Sequence, residues 1–177
     1  MEINISKIKE ISKKNKDENW EFSSILQCST ISSKIVDKMF RTLYKEVASH
    51  IDCTDCANCC RELGPSLNME EIERIANSMG ISIDYFKKKY ILKIPLEEKE
   101  YMFNKSPCPF LLNNRCSCYE YRPQACISYP HLQRKHVTAK LERVIKNCSI
   151  CPIVFNVYEK LKDKVWHRDK KNNYGKK

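Results

Sequence analysis

Residues 53–60 read CTDCANCC, four cysteines in eight positions, and no other stretch constrains the chain as tightly. A thiolate is a soft donor, and four around one centre select zinc or an iron–sulfur cluster. Cys53, Cys56 and Cys59 repeat a gap of two residues, and a loop of that size lets neighbouring sulfurs reach one metal. Cys59 and Cys60 are direct neighbours. In an extended segment such neighbours point to opposite sides. Cys59 is therefore expected to complete the local set, while Cys60 reaches toward a second centre or toward cysteines further along.

Those further donors exist. The chain has 177 residues and eleven cysteines, the others being Cys28, Cys108, Cys116, Cys118, Cys126, Cys148 and Cys151. A chain of this length buries roughly 70% of its unfolded surface, so cysteines are not needed as staples for a small core. Two familiar spacings fail. The bacterial ferredoxin run C-x2-C-x2-C-x3-C-P breaks at its fourth ligand, because Cys60 follows at once and position 63 is Leu. Two C-x2-C pairs are approached by Cys53/Cys56 and Cys148/Cys151, but the gap between them is far longer than in ordinary zinc sites. The remaining ligands are expected from the middle and end of the chain, which couples metal binding to folding.

The expected compartment is reducing. The first twenty residues, MEINISKIKEISKKNKDENW, carry no apolar signal region, and no apolar run reaches the ~20 residues of a membrane span. A cytoplasmic location follows as an expectation, and there dense cysteine means metal or redox chemistry more often than disulfides. An odd number of cysteines also argues against complete internal pairing.

The formal charge of +10 invites a nucleic-acid reading. However, 24 of the 32 basic residues are Lys and only 8 are Arg, and no recognised binding motif accompanies them. Four thiolates on one divalent zinc carry −2, so two such sites would bring the balance to about +6. A dedicated nucleic-acid role is therefore disfavoured but stays open.

Along the chain, Ile3, Ile8 and Ile11 suggest a loose helix in a polar extension, residues 1–30. Ile31, Ile35, Val36, Met39, Phe40, Leu43, Tyr44 and Val47 predict a helix that ends near His50. Asn68 and Glu71 have capping-box spacing ahead of a helix closed by Gly80, and ISIDYFKKKYI predicts a second short helix. Residues 91–104 are expected to be extended and interrupted at Pro95. CPFLLNNRCSCYEYRPQAC predicts a hairpin turning at Asn113-Asn114, with Tyr119 and Tyr121 alternating on the return arm. Pro123 is expected to open a helical turn carrying Cys126, LERVI to be a strand, and Pro152 to begin the last helix. The fold class is thus α+β and mostly helical, a small cysteine-cluster domain over residues 31–166 with a short β-hairpin, followed by a basic disordered tail, 167–177.

The ordered set C53-x2-C-x2-C-C60, C108-P-F-L, C116-x2-Y-x2-R-P-x2-C126 and C151-P resembles the YkgJ-like CxxCxxCC cysteine-cluster family, a zinc- or iron-chelating domain by description. The resemblance covers roughly residues 50–155. It implies metal ligands at Cys53, Cys56, Cys59, Cys60, Cys108, Cys116, Cys126 and Cys151, with Cys148 as an extra donor or an alternative to Cys151. Arg122-Pro123 match the family's RP pair. The family usually carries an aliphatic residue where Cys118 stands, so the resemblance leaves Cys118 outside the shared ligands. Flagellin lysine N-methylases carry a similar cluster in longer chains, which keeps an enzymatic role open. No methyl-donor site is identifiable, however, and the chain has only three glycines for any nucleotide loop.

His131, just after Cys126, is the best placed of four histidines to touch a metal. His50 is expected to end a helix, and His136 and His167 to lie on the surface. Arg122 is expected either to bond a cluster sulfur or to brace the hairpin against an acidic residue. The reading is a cytoplasmic metal-binding protein holding zinc or an iron–sulfur cluster through up to eight cysteines, in a structural, chelating or redox role. Its partners are the metal or cluster and, beyond that, another protein. The alternatives are a protein-lysine N-methylase type of enzyme and a zinc-containing nucleic-acid binder.

Overall fold

Apolar residues at helical spacing dominate the chain outside the cysteine segment, and the computed structural model places helices there. It describes residues 1–94 and 101–167, apart from the side chains of Thr54 and His167. The expected interruption at Pro95 and the expected basic tail beyond His167 lie outside the described residues.

In chain order the elements are α1 Ile5–Lys14, α2 Lys16–Cys28, α3 Ser33–Ala48, α4 Cys53–Cys56, α5 Asn58–Glu62, β1 Ser66–Leu67, α6 Met69–Ser78 and α7 Ile83–Tyr90. Then follow β2 Ile91–Lys93, β3 Tyr101–Phe103, β4 Leu111–Leu112, β5 Arg115–Cys116, α8 Gln124–Ile127, α9 Leu141–Cys148 and α10 Pro152–Lys162. The class is α+β and mostly helical. The chain divides into two compact units: Met1–Asp52 with the chain from Pro130, and Cys53–Tyr129.

The first unit is helical. Val36, Phe40, Leu43 and Val47 form the buried face of α3, as their spacing predicts. This face packs against α10, whose Val154, Val157, Tyr158 and Leu161 are fully buried. Pro152 occupies the first turn of α10, where a missing N–H costs nothing. Phe22 of α2 meets Tyr158 edge-on at 5.5 Å, and the Tyr158 hydroxyl donates to the Asn19 carbonyl at 2.8 Å. Lys162 is fully buried but not unpaired. Its ammonium reaches Glu18 at 2.9 Å, Glu159 at 2.8 Å and the Asn19 side-chain oxygen at 3.0 Å. Such a group is tolerated in an interior only with this kind of compensation. The expected strand LERVI is helix α9 instead. Leu141, Val144, Ile145 and Cys148 fall at i, i+3, i+4 and i+7 and are all buried, so they line one helical face. A short apolar run does not distinguish the two structures without that longer window.

The second unit is built on small sheets and helical turns. β3 lies between β1 and β2, antiparallel to both, with Met102 opposite Ser66 and Leu92. The hairpin β4–β5 pairs Leu111 with Cys116. Asn113 and Asn114 both take positive φ, 49° and 63°, which a two-residue hairpin turn requires. The strand ends at Cys116, however, and Tyr119–Tyr121 form a 3₁₀ turn. The expected alternation of Tyr119 and Tyr121 is lost, and both are exposed. The cause is local: after one more hairpin rung, from the Ser117 N–H to the Phe110 carbonyl, the Tyr121 N–H bonds the Cys118 carbonyl and closes a turn. Phe86, Tyr90, Phe103 and Phe110 interlock with ring separations of 5.1–6.1 Å. They join Leu67, Ile72, Ile75 and Ala76 in an apolar core, against which Cys108 and Cys116 pack.

Candidate metal centre

The octapeptide CTDCANCC is two helical turns with a break between them. α4 carries Cys53 and Cys56, three residues apart and so on one helical face. Ala57 then adopts a left-handed conformation, φ 48°, and α5 begins, carrying Cys59 and Cys60. The Ala57 N–H bonds the Cys53 carbonyl at 3.0 Å, and the Cys60 N–H bonds the Ala57 carbonyl at 3.1 Å. The helical start relaxes the opposition that two neighbours would have in an extended chain.

Three further links fix the turns against the rest of the unit. The Cys108 N–H donates to the Cys60 carbonyl at 2.8 Å, which brings the CPFL segment beside α5. Arg61 donates from Nη1 to the Cys56 carbonyl at 2.7 Å and from Nη2 to the Asn114 side-chain oxygen at the hairpin tip. The Arg61 carbonyl accepts from the Ser106 hydroxyl at 3.0 Å. One residue thus holds the first cysteine turn to the hairpin. Spacing gave no sign of it.

Cys126 is held by another device. Asn68 and Glu71 form the expected capping box, with bonds of 2.9 and 2.8 Å. The second carboxylate oxygen of Glu71, which is buried, accepts the Gln124 N–H at 2.7 Å. Gln124 opens α8, and α8 carries Cys126 after Pro123, as expected. The capping box was legible in sequence; its use of the spare oxygen to seat α8 was not.

The sulfurs that these devices bring within one another's electrostatic reach are Cys60, Cys108, Cys116, Cys118 and Cys126. A sulfur–hydrogen bond from Cys118, 3.6 Å away, holds the Cys116 thiol down to about 6 against the effect of burial, and the Arg122 charge helps. A bond from Cys59 holds Cys60 down to about 7, with help from Arg61. Burial pushes Cys108 up to about 11 and Cys126 up to about 12, and the neighbouring thiolates add to both shifts. Cys118, as the donor to Cys116, is pushed strongly upward. At neutral pH the metal-free group is therefore a mixture of thiolates and thiols, a soft and anionic set suited to a thiophilic cation. Among the described residues, no three Cys, His, Asp or Glu side chains stand in closed metal-ligating geometry.

The other candidates fall elsewhere. Cys53 is exposed and Cys56 half-buried on α4. Cys148 and Cys151 belong to the helical unit. Cys148 is buried with its sulfur on the Val144 carbonyl at 3.4 Å, and Cys151 precedes α10. Cys28 ends α2 and is exposed. His131 also belongs to the helical unit, where it lines a cleft with Arg134, Lys135, Lys140 and Arg143. His50 follows α3, its Nδ1 2.8 Å from the Glu46 carbonyl. Among the described residues, Arg122 braces its own turn and meets no acidic side chain. Its guanidinium lies 3.6 Å over the Tyr119 ring and donates to the Tyr119 carbonyl at 2.6 Å.

A family model named CxxCxxCC and described as "Putative zinc- or iron-chelating domain" matches residues 52–152. No curated protein and no solved structure matches the chain. Among the described residues, no helix is long and apolar enough to cross a membrane.

Proposed function

We infer that this chain, which belongs to the CxxCxxCC family of zinc- or iron-chelating domains, is a cytoplasmic metal-binding protein whose cysteine unit holds zinc or an iron–sulfur cluster. The observation that carries the reading is the family match over residues 52–152, and it is supported by Cys60, Cys108, Cys116 and Cys126, from four separate segments, whose charges act on one another. Thiols bury at little cost singly, so it is their gathering from distant segments, rather than their burial, that favours a soft cation. Cys53, Cys56 and Cys59 on the adjoining turns are further donors, and with Cys151 they bring the set to the eight thiolates that two four-cysteine centres take. The metal would supply a fixed point that ties the turns, the hairpin and α8 together, and so would stabilise this unit directly. The role is structural or chelating for zinc, and electron transfer or redox sensing for a cluster.

Anaerobic purification followed by metal and acid-labile sulfide analysis tests the reading. Zinc without sulfide assigns the first role, and iron with sulfide the second. A folded protein that holds neither, with its cysteines unmodified, would remove the proposal.

A further inference from the structure

Cys118 lies outside the ligand set that the family resemblance implies, yet its surroundings are those of a donor. It stands two residues after Cys116, at the point where β5 gives way to the 3₁₀ turn. One more hairpin rung, Ser117 N–H to the Phe110 carbonyl at 2.8 Å, precedes that bend, and the Tyr121 N–H to the Cys118 carbonyl at 2.9 Å closes the turn after it. Between them the two sulfurs approach to 3.6 Å. The Cys118 side chain is 7% exposed, so the approach is held by packing rather than by chance at a surface.

That distance has a chemical meaning. Zinc–sulfur bonds are about 2.3 Å and tetrahedral, so two thiolates on one ion stand about 3.8 Å apart. In a four-iron cluster each protein thiolate takes its own iron, which holds the sulfurs well apart. The Cys116–Cys118 separation fits the first arrangement. Cys118 belongs to the buried cluster against which Cys108 and Cys116 pack, so other sulfur-bearing residues border it.

We propose that Cys116 and Cys118 chelate one tetrahedral zinc ion as a C-x-C pair, with Cys118 serving as a metal ligand in its own right. The proposal rests on the metal-binding reading above and sharpens it to a mononuclear ion on the hairpin side. Binding moves no electrons. The remaining thiol protons pass to solvent as two zinc–sulfur bonds form, and the other two positions fall to sulfurs among Cys60, Cys108 and Cys126. The competing reading is a hydrogen-bonded thiol pair at the edge of a core.

The test uses the full chain as wild type, Cys118→Ala and Cys118→Ser, with Cys28→Ala as a thiol control outside the site. Circular dichroism of the metal-free forms checks that each variant folds. Zinc affinity is then measured by competition with a chromophoric chelator, and cobalt(II) replaces zinc to count thiolates by their charge-transfer absorption. Outer partners of metal ligands cost roughly 10–100-fold in affinity when removed, so a direct ligand is expected to cost at least the upper end of that range. The expected result is that loss for both Cys118 variants, with a weaker charge-transfer band and no change for Cys28→Ala. Wild-type affinity and an unchanged cobalt spectrum in both variants would overturn the assignment while leaving metal binding intact. A wild-type chain that takes up no metal would overturn both.

Discussion

The carboxylate of Glu71 accepts the backbone N–H of Gln124, 53 residues further along the chain, at 2.7 Å, while its other oxygen closes the capping box of α6 at 2.8 Å. A residue of the helix start is thereby also the seat of the turn that carries Cys126. Glu71→Ala leaves two part-buried backbone donors without this acceptor, at about 1 kcal/mol each. We expect a lower melting temperature and weaker zinc binding together. Glu71→Gln keeps only one good acceptor and should fall between, as thermal melts and chelator competition will read.

Arg61 bonds both the Cys56 carbonyl and the Asn114 side chain. Its forked guanidinium reaches two acceptors at fixed angles, which a single ammonium does not reproduce. Arg61→Lys is therefore expected to lose most of what Arg61→Ala loses. The expected loss is roughly 10–100-fold in zinc affinity, the range for partners that orient ligands. Recovery of wild-type affinity by Lys would show that charge alone matters there.

Metal uptake should release protons. With Cys116 held at about 6 and Cys60 at about 7, these two are largely or half ionised at pH 7, whereas Cys108 at about 11 and Cys126 at about 12 are thiols. Zinc must displace the protons that remain, roughly two to three per ion at pH 7. Lowering the pH toward 5 reprotonates Cys60 and Cys116 and adds to that number, so affinity falls as pH falls. Calorimetry in buffers of different ionisation enthalpy counts the protons directly.

The same order governs alkylation of the metal-free protein. The thiolate is the nucleophile, so Cys116 and Cys60 are expected to take up iodoacetamide at pH 7 before Cys108 and Cys126. Peptide mass spectrometry at short times reads this order, and bound zinc should suppress it at Cys116 and at two of the other three positions.

Cys148 is buried in α9 with its sulfur on the Val144 carbonyl. Cys148→Ala removes one buried sulfur and should cost about 1–2 kcal/mol by the cavity it leaves. The expectation is a lower melting temperature with the same metal content. Lost metal would make Cys148 a ligand instead.

What sequence could show here followed the range of the interaction. Helices with a long apolar face, α3 and α10, and the capping box of α6 were legible because their signals are local and repeat. The hairpin turn was legible in Asn113-Asn114, since few residues accept two successive positive φ values. LERVI is ambiguous because three apolar residues in a short window fit either period until Cys148 is included. The link from Arg61 to Asn114 and that from Glu71 to Gln124 leave no pattern in sequence, because each joins a side chain to a place chosen by the whole fold. Cys118 is a different case: the family resemblance expects an aliphatic side chain there, and nothing in sequence tells that its sulfur stands 3.6 Å from that of Cys116.

Ala57 remains, the left-handed residue between the two cysteine turns. A side chain there costs about 1–2 kcal/mol that glycine would not. Yet glycine would also give the unfolded chain more conformations to surrender. With alanine, the joint has one narrow setting rather than many. The angle between α4 and α5 then has few alternatives to search, and what is left for an arriving ion to settle is the reach of the sulfurs.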